Sequence, residues 1–147
     1  MPLIPLTLAC MLTVTQQHNF PRETMFALLA QEAGTVGQSS RNANGTYDHG
    51  PYQVNDVNVP HIARAFGLTP DATRERLRDD GCFNATAAGY LLSKHLKASG
   101  DIWTAIGHYH SKTQVFAESY RGNVYAKALR LYEPITPNRN RKNEKRK

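Results

Sequence analysis

Cysteines and long apolar segments are both scarce in this sequence, and each shortage excludes a class of protein. The 147 residues contain two cysteines, too few for the dense disulfide framework of small secreted scaffolds. The longest apolar stretch, residues 3–14, is too short to cross a bilayer. No lysine or arginine precedes Arg22, so the basic start of a signal peptide is missing. We therefore predict no integral membrane segment, and a first core helix that includes residues 3–14 and continues to His18.

The net positive charge is also small outside the last eleven residues. The whole chain has 18 Lys and Arg against 12 Asp and Glu, a formal net charge of +6. Residues 137–147 hold six of those bases and one of the acids, which leaves 12 bases, 11 acids and a net charge of +1 for residues 1–136. Because that balance does not indicate a basic face, we expect no nucleic-acid partner. We predict one domain, residues 1–136, followed by a disordered basic tail, residues 137–147.

Metal-binding spacings are missing as well. The six histidines form no His-Glu-x-x-His pattern, and neither cysteine belongs to a Cys-x-x-Cys pair. His108 and His110 are two positions apart, so we expect them to point to different sides of a helix. The sequence therefore predicts neither a metal nor a cofactor.

Helix start and stop signals divide most of the chain into helices. Pro21 stands at the start of a predicted helix over residues 22–33, and Gly34 is a natural stop after it. Asn84 and Asp101 are predicted caps of two later helices. Further helices are predicted over residues 57–66, 70–78, 85–98, 102–110 and 114–131.

Turn-forming residues replace the helical pattern between residues 34 and 58. The pair Asn44-Gly45 is a strong hairpin signal, and strand-forming residues such as Thr46 and Val54 flank it. We therefore predict a mainly α domain of the α+β class, with one small β-hairpin or ordered loop.

Glu32 lies on the apolar side of its predicted helix, because residues 25, 28, 29 and 32 follow the helical repeat. Desolvation there would raise the pKa of its carboxyl group toward the range of a general acid. On the helix alone, a glutamate that reaches water from the helix end explains the pattern better. Asp48 in the polar hairpin supplies a second acid, and two carboxylates in such different environments are what glycosidic bond cleavage requires.

Several segments, taken in order, resemble one known family. Residues 32–34 (EAG) and 44–55 (NGTYDHGPYQVN) resemble the E-S and N-G-T-Y-D-x-G-L-M-Q-I-N signature of the small, lysozyme-like soluble lytic transglycosylase (SLT) domain. Residues 82–84 (CFN), 87–92 (AAGYLL) and 103–111 (WTAIGHYHS) resemble its C-x-N, A-G-x-x-L and W-x-A-I-x-x-Y-[NH]-[AS] segments. The resemblance implies a lysozyme-like fold with a small hairpin after the catalytic helix.

The resemblance also implies roles for individual residues. Glu32 matches the family's catalytic acid, and Asp48 stands where lysozymes and some secretion-linked members hold a second carboxylate. An Asx turn in the hairpin explains Asp48 about as well. The residues predicted to bind substrate are Gln53, Tyr109, Asn55, Tyr47 and His110.

The sequence departs from the family pattern in three places, one of which is a pair of residues. Ala33 replaces the usual serine after the acid, so a hydroxyl that would orient substrate or acid is missing. The pair Pro51-Tyr52 replaces Leu-Met in one wall of the cleft, and His110 replaces the commoner asparagine. Trp103, Ile106, Leu91, Leu92 and Leu96 are expected in the core, whereas the candidates for stacking on sugar rings are Tyr47, Tyr52, Tyr109 and Tyr120.

A disulfide between Cys10 and Cys82 is implied by the same resemblance, since the similar proteins pair a first-helix cysteine with the C-x-N cysteine. Such a bond indicates an oxidising compartment, here the periplasm. The similar subset accompanies type III and type IV secretion, conjugation or type IV pilus machines. Peptidoglycan strands and components of such a machine are therefore the expected partners.

The activity that the resemblance implies is that of a lytic transglycosylase. Such an enzyme cleaves the β-1,4 bond between N-acetylmuramic acid and N-acetylglucosamine and leaves a 1,6-anhydromuramoyl end. A muramidase that hydrolyses the same bond is the nearest alternative and would depend more on Asp48. The third candidate function is that of a glycan-binding assembly factor without catalytic activity, because Ala33 and His110 depart from the family pattern.

Overall fold

The computed structural model describes residues 1–110 and 114–132, so the predicted basic tail lies outside the described residues. The described chain is mainly helical with one small antiparallel sheet, which confirms the predicted α+β class. A short 3₁₀ turn at Asp56–Asn58 precedes α3. The elements in chain order are α1 (Leu8–His18), α2 (Thr24–Glu32), β1 (Ser39–Arg41), β2 (Tyr47–His49), β3 (Val54–Asn55), α3 (Val59–Phe66), α4 (Pro70–Asp79), α5 (Gly81–Ser99), α6 (Ile102–His110) and α7 (Gln114–Tyr132).

The first helix starts later than the apolar run predicts. It begins at Leu8, after Thr7, whose hydroxyl accepts a hydrogen bond from the Cys10 N–H at 3.1 Å. Pro5 disfavours helical geometry at Ile4, which instead forms a parallel β-bridge with Asp80. The prediction of a core helix from residue 3 is therefore wrong for residues 3–7, and Leu8 at the helix start is exposed.

Helix α5 runs through the centre of the domain and carries much of its core. Its cap is Asp80, whose carboxylate accepts a hydrogen bond from the Phe83 N–H at 3.0 Å. The predicted cap, Asn84, instead lies fully buried inside the helix. The helix therefore starts four residues earlier than the sequence predicts.

A disulfide joins α1 to α5 through Cys10 and Cys82, the pairing that the family resemblance implied. The two Cα atoms are 5.5 Å apart, and the residues are separated by 72 positions. Gly89 lets the same two helices pack closely, since a Cβ there would collide with the Val14 side chain. The bond therefore links two helices that already share a core contact.

The sheet follows α2 directly and has the strand order β1-β2-β3. In its antiparallel register Ser39 pairs with His49, and Asp48 pairs with Asn55. The buried ring of His49 holds the sheet together, because one nitrogen contacts the Ser39 hydroxyl and the other the Asp56 carboxylate, each at 2.7 Å. The predicted hairpin around Asn44 is thus present as part of a three-stranded sheet.

Asn84 connects this sheet to the helices. Its amide nitrogen donates to the His49 carbonyl at 2.8 Å and the Leu77 carbonyl at 2.9 Å. Its amide oxygen accepts from the Tyr52 N–H at 2.8 Å. One buried side chain therefore sets the position of the β2–β3 turn relative to α4 and α5.

Helices α6 and α7 close the domain against α2 and α5. Asp101 caps α6 as predicted, since its carboxylate accepts a hydrogen bond from the Thr104 N–H at 2.9 Å. Gly107 allows α7 to approach, because a Cβ at that position would contact the Ala117 backbone. Within the described residues, none of the helices is both long and apolar enough to cross a membrane.

Candidate active site

One cleft of about 520 Å³ opens between the sheet and the α5–α6 side of the domain. Most of its lining side chains are polar, and two of them are carboxylates. The lining residues are Glu32, Asn42, Asp48, Gln53, Val54, Asn55, Val57, Asn58, Leu91, His95, His108, Tyr109 and His110.

Glu32 reaches the cleft because α2 ends at this residue. The next residue, Ala33, adopts the left-handed conformation with φ of 51°, so the stop lies one residue before the predicted Gly34. Gly34 has a different reason to be glycine. A Cβ there would collide with the carbonyl of Gly50 and lie 2.6 Å from the Gln53 amide nitrogen, so the residue lets the sheet approach the end of α2.

Burial raises the pKa of the Glu32 carboxyl group from its ordinary value to about 7. A hydrogen bond from the Tyr120 hydroxyl, at 3.0 Å, acts in the opposite direction and lowers that pKa. The negative charge of Asp48 raises it further. The carboxyl group therefore exchanges a proton near neutral pH, as a general acid must.

Tyr120 brings α7 into the site from behind Glu32. Its ring is buried, and burial together with the neighbouring Glu32 carboxylate raises the pKa of its hydroxyl far above the ordinary value. The hydroxyl therefore keeps its proton and stays a donor to Glu32. The His110 ring stacks on the Tyr120 ring with centroids 4.7 Å apart and planes 3° from parallel.

Asp48 lines the same cleft from β2. Its carboxylate accepts a hydrogen bond from the Asn55 amide at 2.8 Å, across the β2–β3 pair. The same Asn55 amide also donates to the Thr46 hydroxyl at 3.1 Å. Asn55 therefore orients the second carboxylate as well as lining the cleft.

Gln53 and Tyr109 line the cleft together with the two acids. Gln53 has a left-handed backbone with φ of 52°, and its amide donates to the Gly50 carbonyl at 2.9 Å. The Tyr109 hydroxyl donates to the Tyr52 carbonyl at 2.9 Å, and burial raises the pKa of that hydroxyl. Both contacts attach cleft side chains to the turn between β2 and β3.

Three of the four tyrosines predicted to stack on sugars are absent from the cleft lining. Tyr52 is fully buried and its hydroxyl donates to the Met25 carbonyl at 2.8 Å, so its prediction as a sugar platform is wrong. Tyr120 is also buried, and its ring contacts His110. Tyr47 is exposed but does not belong to the cleft lining. Tyr109 is the member of this group that lines the cleft.

The chain is similar to invasion proteins of Salmonella. Over 121 residues, the chain is 26% identical to Invasion protein IagB of Salmonella typhimurium, and the alignment covers 82% of this chain and 72% of that protein. Invasion protein IagB of Salmonella typhi matches with the same identity and coverage. No protein-family model matches the chain.

Several cleft residues carry no signal in the sequence pattern. His95, His108, Asn42 and Asn58 all line the cleft, although their spacing resembles no site motif. His108 and His110 were expected on different sides of α6, yet both border the cleft because this helix ends there. The end of a helix thus exposes successive residues to one cavity, which a periodicity argument does not capture.

The expected core residues also divide between two environments. Leu92 and Ile106 are buried in the main core as predicted. Leu91 is buried too, but it also forms part of the cleft lining. Trp103 is only partly buried and meets the Tyr125 ring edge to face at 5.2 Å. Among residues 1–110 and 114–132, no group of three His, Cys, Asp or Glu side chains could hold a metal ion.

Proposed function

We propose that the protein is a peptidoglycan lytic transglycosylase that cleaves the β-1,4 bond between N-acetylmuramic acid and N-acetylglucosamine. The observation that carries this proposal is Glu32, a carboxylic acid with a pKa of about 7 at the edge of a polar cleft. Gln53 and Tyr109, which match the SLT signature, line the same cleft. The chain is also similar to a Salmonella protein named for invasion, Invasion protein IagB.

In the proposed reaction Glu32 acts first as an acid and then as a base. Its carboxyl proton moves to the glycosidic oxygen, and the bond from muramoyl C1 to that oxygen breaks. The resulting carboxylate then accepts the proton of the muramoyl C6 hydroxyl, whose oxygen bonds to C1 and closes the 1,6-anhydro ring. The substrate's own acetamido group can stabilise the cationic centre between these steps, so one protein carboxyl group is sufficient.

The side chains around Glu32 suit this sequence of steps. Burial keeps the acid protonated near neutral pH, while the Tyr120 hydroxyl stabilises the carboxylate once the proton has left. The amides of Asn42 and Gln53 line the cleft and provide donors and acceptors for sugar hydroxyl and acetamido groups.

A muramidase is the second candidate, and Asp48 favours it. Its carboxylate lines the cleft with Glu32 and is oriented by Asn55. In a hydrolytic reaction this second carboxylate would stabilise the cationic centre or act as nucleophile while water completes the cleavage. The two candidates differ in the group that attacks C1, so their products differ by one water.

We further propose that the protein acts in the periplasm and opens the cell wall for a secretion, conjugation or pilus apparatus. The Cys10–Cys82 disulfide supports an oxidising compartment. The similarity to a Salmonella protein named for invasion is compatible with such a role.

Digestion of purified peptidoglycan tests the proposal. Wild type and Glu32→Gln should be incubated with the same glycan, and the released muropeptides analysed by mass spectrometry. We expect 1,6-anhydro products from the wild type and a loss of about 100-fold or more in rate for Glu32→Gln, because the amide cannot donate the proton. His61→Gln is the matched control, since this exposed histidine lies outside the cleft.

Reducing-end products from the wild type would contradict the lytic reaction and establish the muramidase. Such an outcome predicts that Asp48→Asn is as damaging as Glu32→Gln. If folded, disulfide-bonded wild type released no product at all, an inactive glycan-binding assembly factor would be the better description.

A further inference from the structure

Three imidazoles occupy the α5–α6 side of the cleft. We call His95, His108 and His110 the histidine wall. The rings of His95 and His108 meet edge to face with centroids 6.1 Å apart. His110 stacks on Tyr120, which in turn holds Glu32, so the histidine wall extends to the catalytic acid.

The charges of the cleft make this group distinctive. Among the lining residues that the structure describes, the ionisable acids are Glu32 and Asp48, and neither Lys nor Arg is present. The remaining polar lining residues are Tyr109 and four amides. Among the lining side chains that the structure describes, the three imidazoles are therefore the groups that can carry positive charge.

In the described part of the chain, no residue hydrogen-bonds to a ring nitrogen of His108, so both nitrogens can meet a ligand. His49 in the sheet is a histidine with a purely structural role, because its two ring nitrogens contact Ser39 and Asp56. His108 instead borders the cleft, and within residues 1–110 and 114–132 its ring contacts His95 without a hydrogen bond to its nitrogens. A half-buried imidazole of this kind is suited to binding a polar group that enters the cleft.

We propose that the histidine wall binds a carboxylate carried by a muramoyl residue of the glycan, an inference that rests on the proposed function. N-acetylglucosamine presents only hydroxyl and acetamido groups, for which the cleft amides are sufficient. The muramoyl residue differs by a lactyl ether that ends in a carboxylate or in a peptide bearing carboxylates. Imidazole N–H groups bind carboxylates directly, and more strongly when the ring is protonated.

This contact would decide which sugar occupies which side of the cleft. The two sugars of peptidoglycan alternate, so two β-1,4 linkages exist and only one has muramic acid on the reacting side. A carboxylate bound at the histidine wall places the muramoyl residue beside Glu32, because His110 and Glu32 both contact Tyr120. The histidines thus become specificity determinants for the bond that is cleaved.

Binding to an inactive variant tests the proposal without turnover. The Glu32→Gln protein is titrated calorimetrically at pH 6 with peptide-free glycan, with the same glycan whose lactyl carboxylates have been converted to amides, and with chitopentaose. We expect about tenfold tighter binding of the carboxylate form than of the amide form, equivalent to about 1.4 kcal/mol. Intact glycan with peptide stems forms a fourth ligand and shows whether a stem carboxylate serves in place of the lactyl group.

Two additional substitutions assign the preference to the histidine wall. His108→Phe in the Glu32→Gln protein keeps an aromatic ring but removes both nitrogens, and should weaken binding of the carboxylate form far more than binding of chitopentaose. His61→Phe, on the exposed side of α3, is the matched control and should retain the preference.

Equal affinity of Glu32→Gln for the carboxylate and amide forms would overturn the inference, and this comparison needs no folded His108 variant. An equal loss of chitopentaose affinity in His108→Phe would also overturn it, since the ring would then bind neutral sugar. Absence of binding to all four ligands would instead contradict the proposed function itself.

Discussion

At the scale of single residues, the chemistry of the cleft depends on neighbours that raise and lower the pKa of the Glu32 carboxyl group. Burial raises the pKa of its carboxyl group to about 7, and Asp48 raises it further, while the Tyr120 hydroxyl lowers it. A group balanced in this way responds to the loss of any one neighbour.

Tyr120→Phe should shift the pH profile of cleavage. Removing the hydroxyl removes the hydrogen bond that lowers the pKa of Glu32, so the acid stays protonated to higher pH. We expect the alkaline limb of kcat/KM to move upward from about pH 7 by about one pH unit, with a lower maximal rate because the carboxylate has lost a donor. Tyr125→Phe on the exposed side of α7 is the control; an unchanged limb in Tyr120→Phe would show that Tyr120 does not act through Glu32.

Glu32→Gln should stabilise the fold at alkaline pH. The native pKa of Glu32, about 7, lies above the ordinary value of 4.5, so the native state binds more protons than the unfolded state between those values. The contribution of Glu32 to the free energy of unfolding is therefore fully present below pH 4.5 and is lost as the pH rises through 7. At pH 8 we expect the amide variant to be more stable by up to about 3 kcal/mol in urea unfolding. At pH 4 the two proteins should unfold alike, and equal stability at pH 8 would contradict the burial of a charged Glu32.

At the scale of elements, the site depends on how the sheet meets the end of α2. Gly34 follows the helix and leaves no space for a side chain beside the Gly50 carbonyl and the Gln53 amide. Ala33 supplies the left-handed turn that aims the chain toward β1, at the cost of an unusual backbone for alanine. The position of Gln53 relative to Glu32 is therefore set by a backbone contact.

Gly34→Ala should damage both the fold and the site. The added methyl group would push the β2–β3 turn away from α2, and we expect a loss of about 2 kcal/mol or more in stability together with reduced glycan cleavage. Gly122→Ala in α7 is the matched control, because a Cβ there meets no atom within 4 Å. That control should gain up to about 1 kcal/mol from helix propensity. Equal urea midpoints for the two variants would show that the close approach at Gly34 does not constrain the protein.

At the scale of the whole molecule, the disulfide closes a loop that contains both acids. Its ends, Cys10 and Cys82, are 72 positions apart, and the intervening chain includes α2 and the complete sheet. Because the bond joins α1 to α5, it restricts the unfolded chain without entering the cleft. Its contribution should therefore appear in stability before it appears in chemistry.

Replacing both cysteines by alanine should lower the free energy of unfolding by about 4 kcal/mol, the chain-entropy figure for a loop of this length. Denaturant unfolding with and without a reductant measures this effect, and the double variant is the control because it should not respond to reductant. Glycan cleavage at low temperature should persist in the double variant. If the urea midpoint of the wild type were the same with and without reductant, a stabilising role for the disulfide would be contradicted.

The order of helices and the position of the hairpin were predictable from local patterns, because caps, turns and apolar repeats act over a few residues. Two predictions about where helices begin failed for a shared cause. Ile4 belongs to the apolar run but forms a β-bridge with Asp80, and Asn84 is a residue type typical of helix caps but binds the β2–β3 turn. In each case a partner distant in the sequence decides the structure.

By itself, the sequence determined that the chain is mainly helical, that Glu32 lies at the end of an apolar helix face, and that a turn-rich segment follows it. Only the tertiary structure decided that Tyr120 contacts the acid, that Tyr52 is buried, and that His95 joins His108 at the cleft. The physical reason is that periodicity reports which face of one element is apolar. Which side chain of another element meets that face depends on the packing of the whole chain.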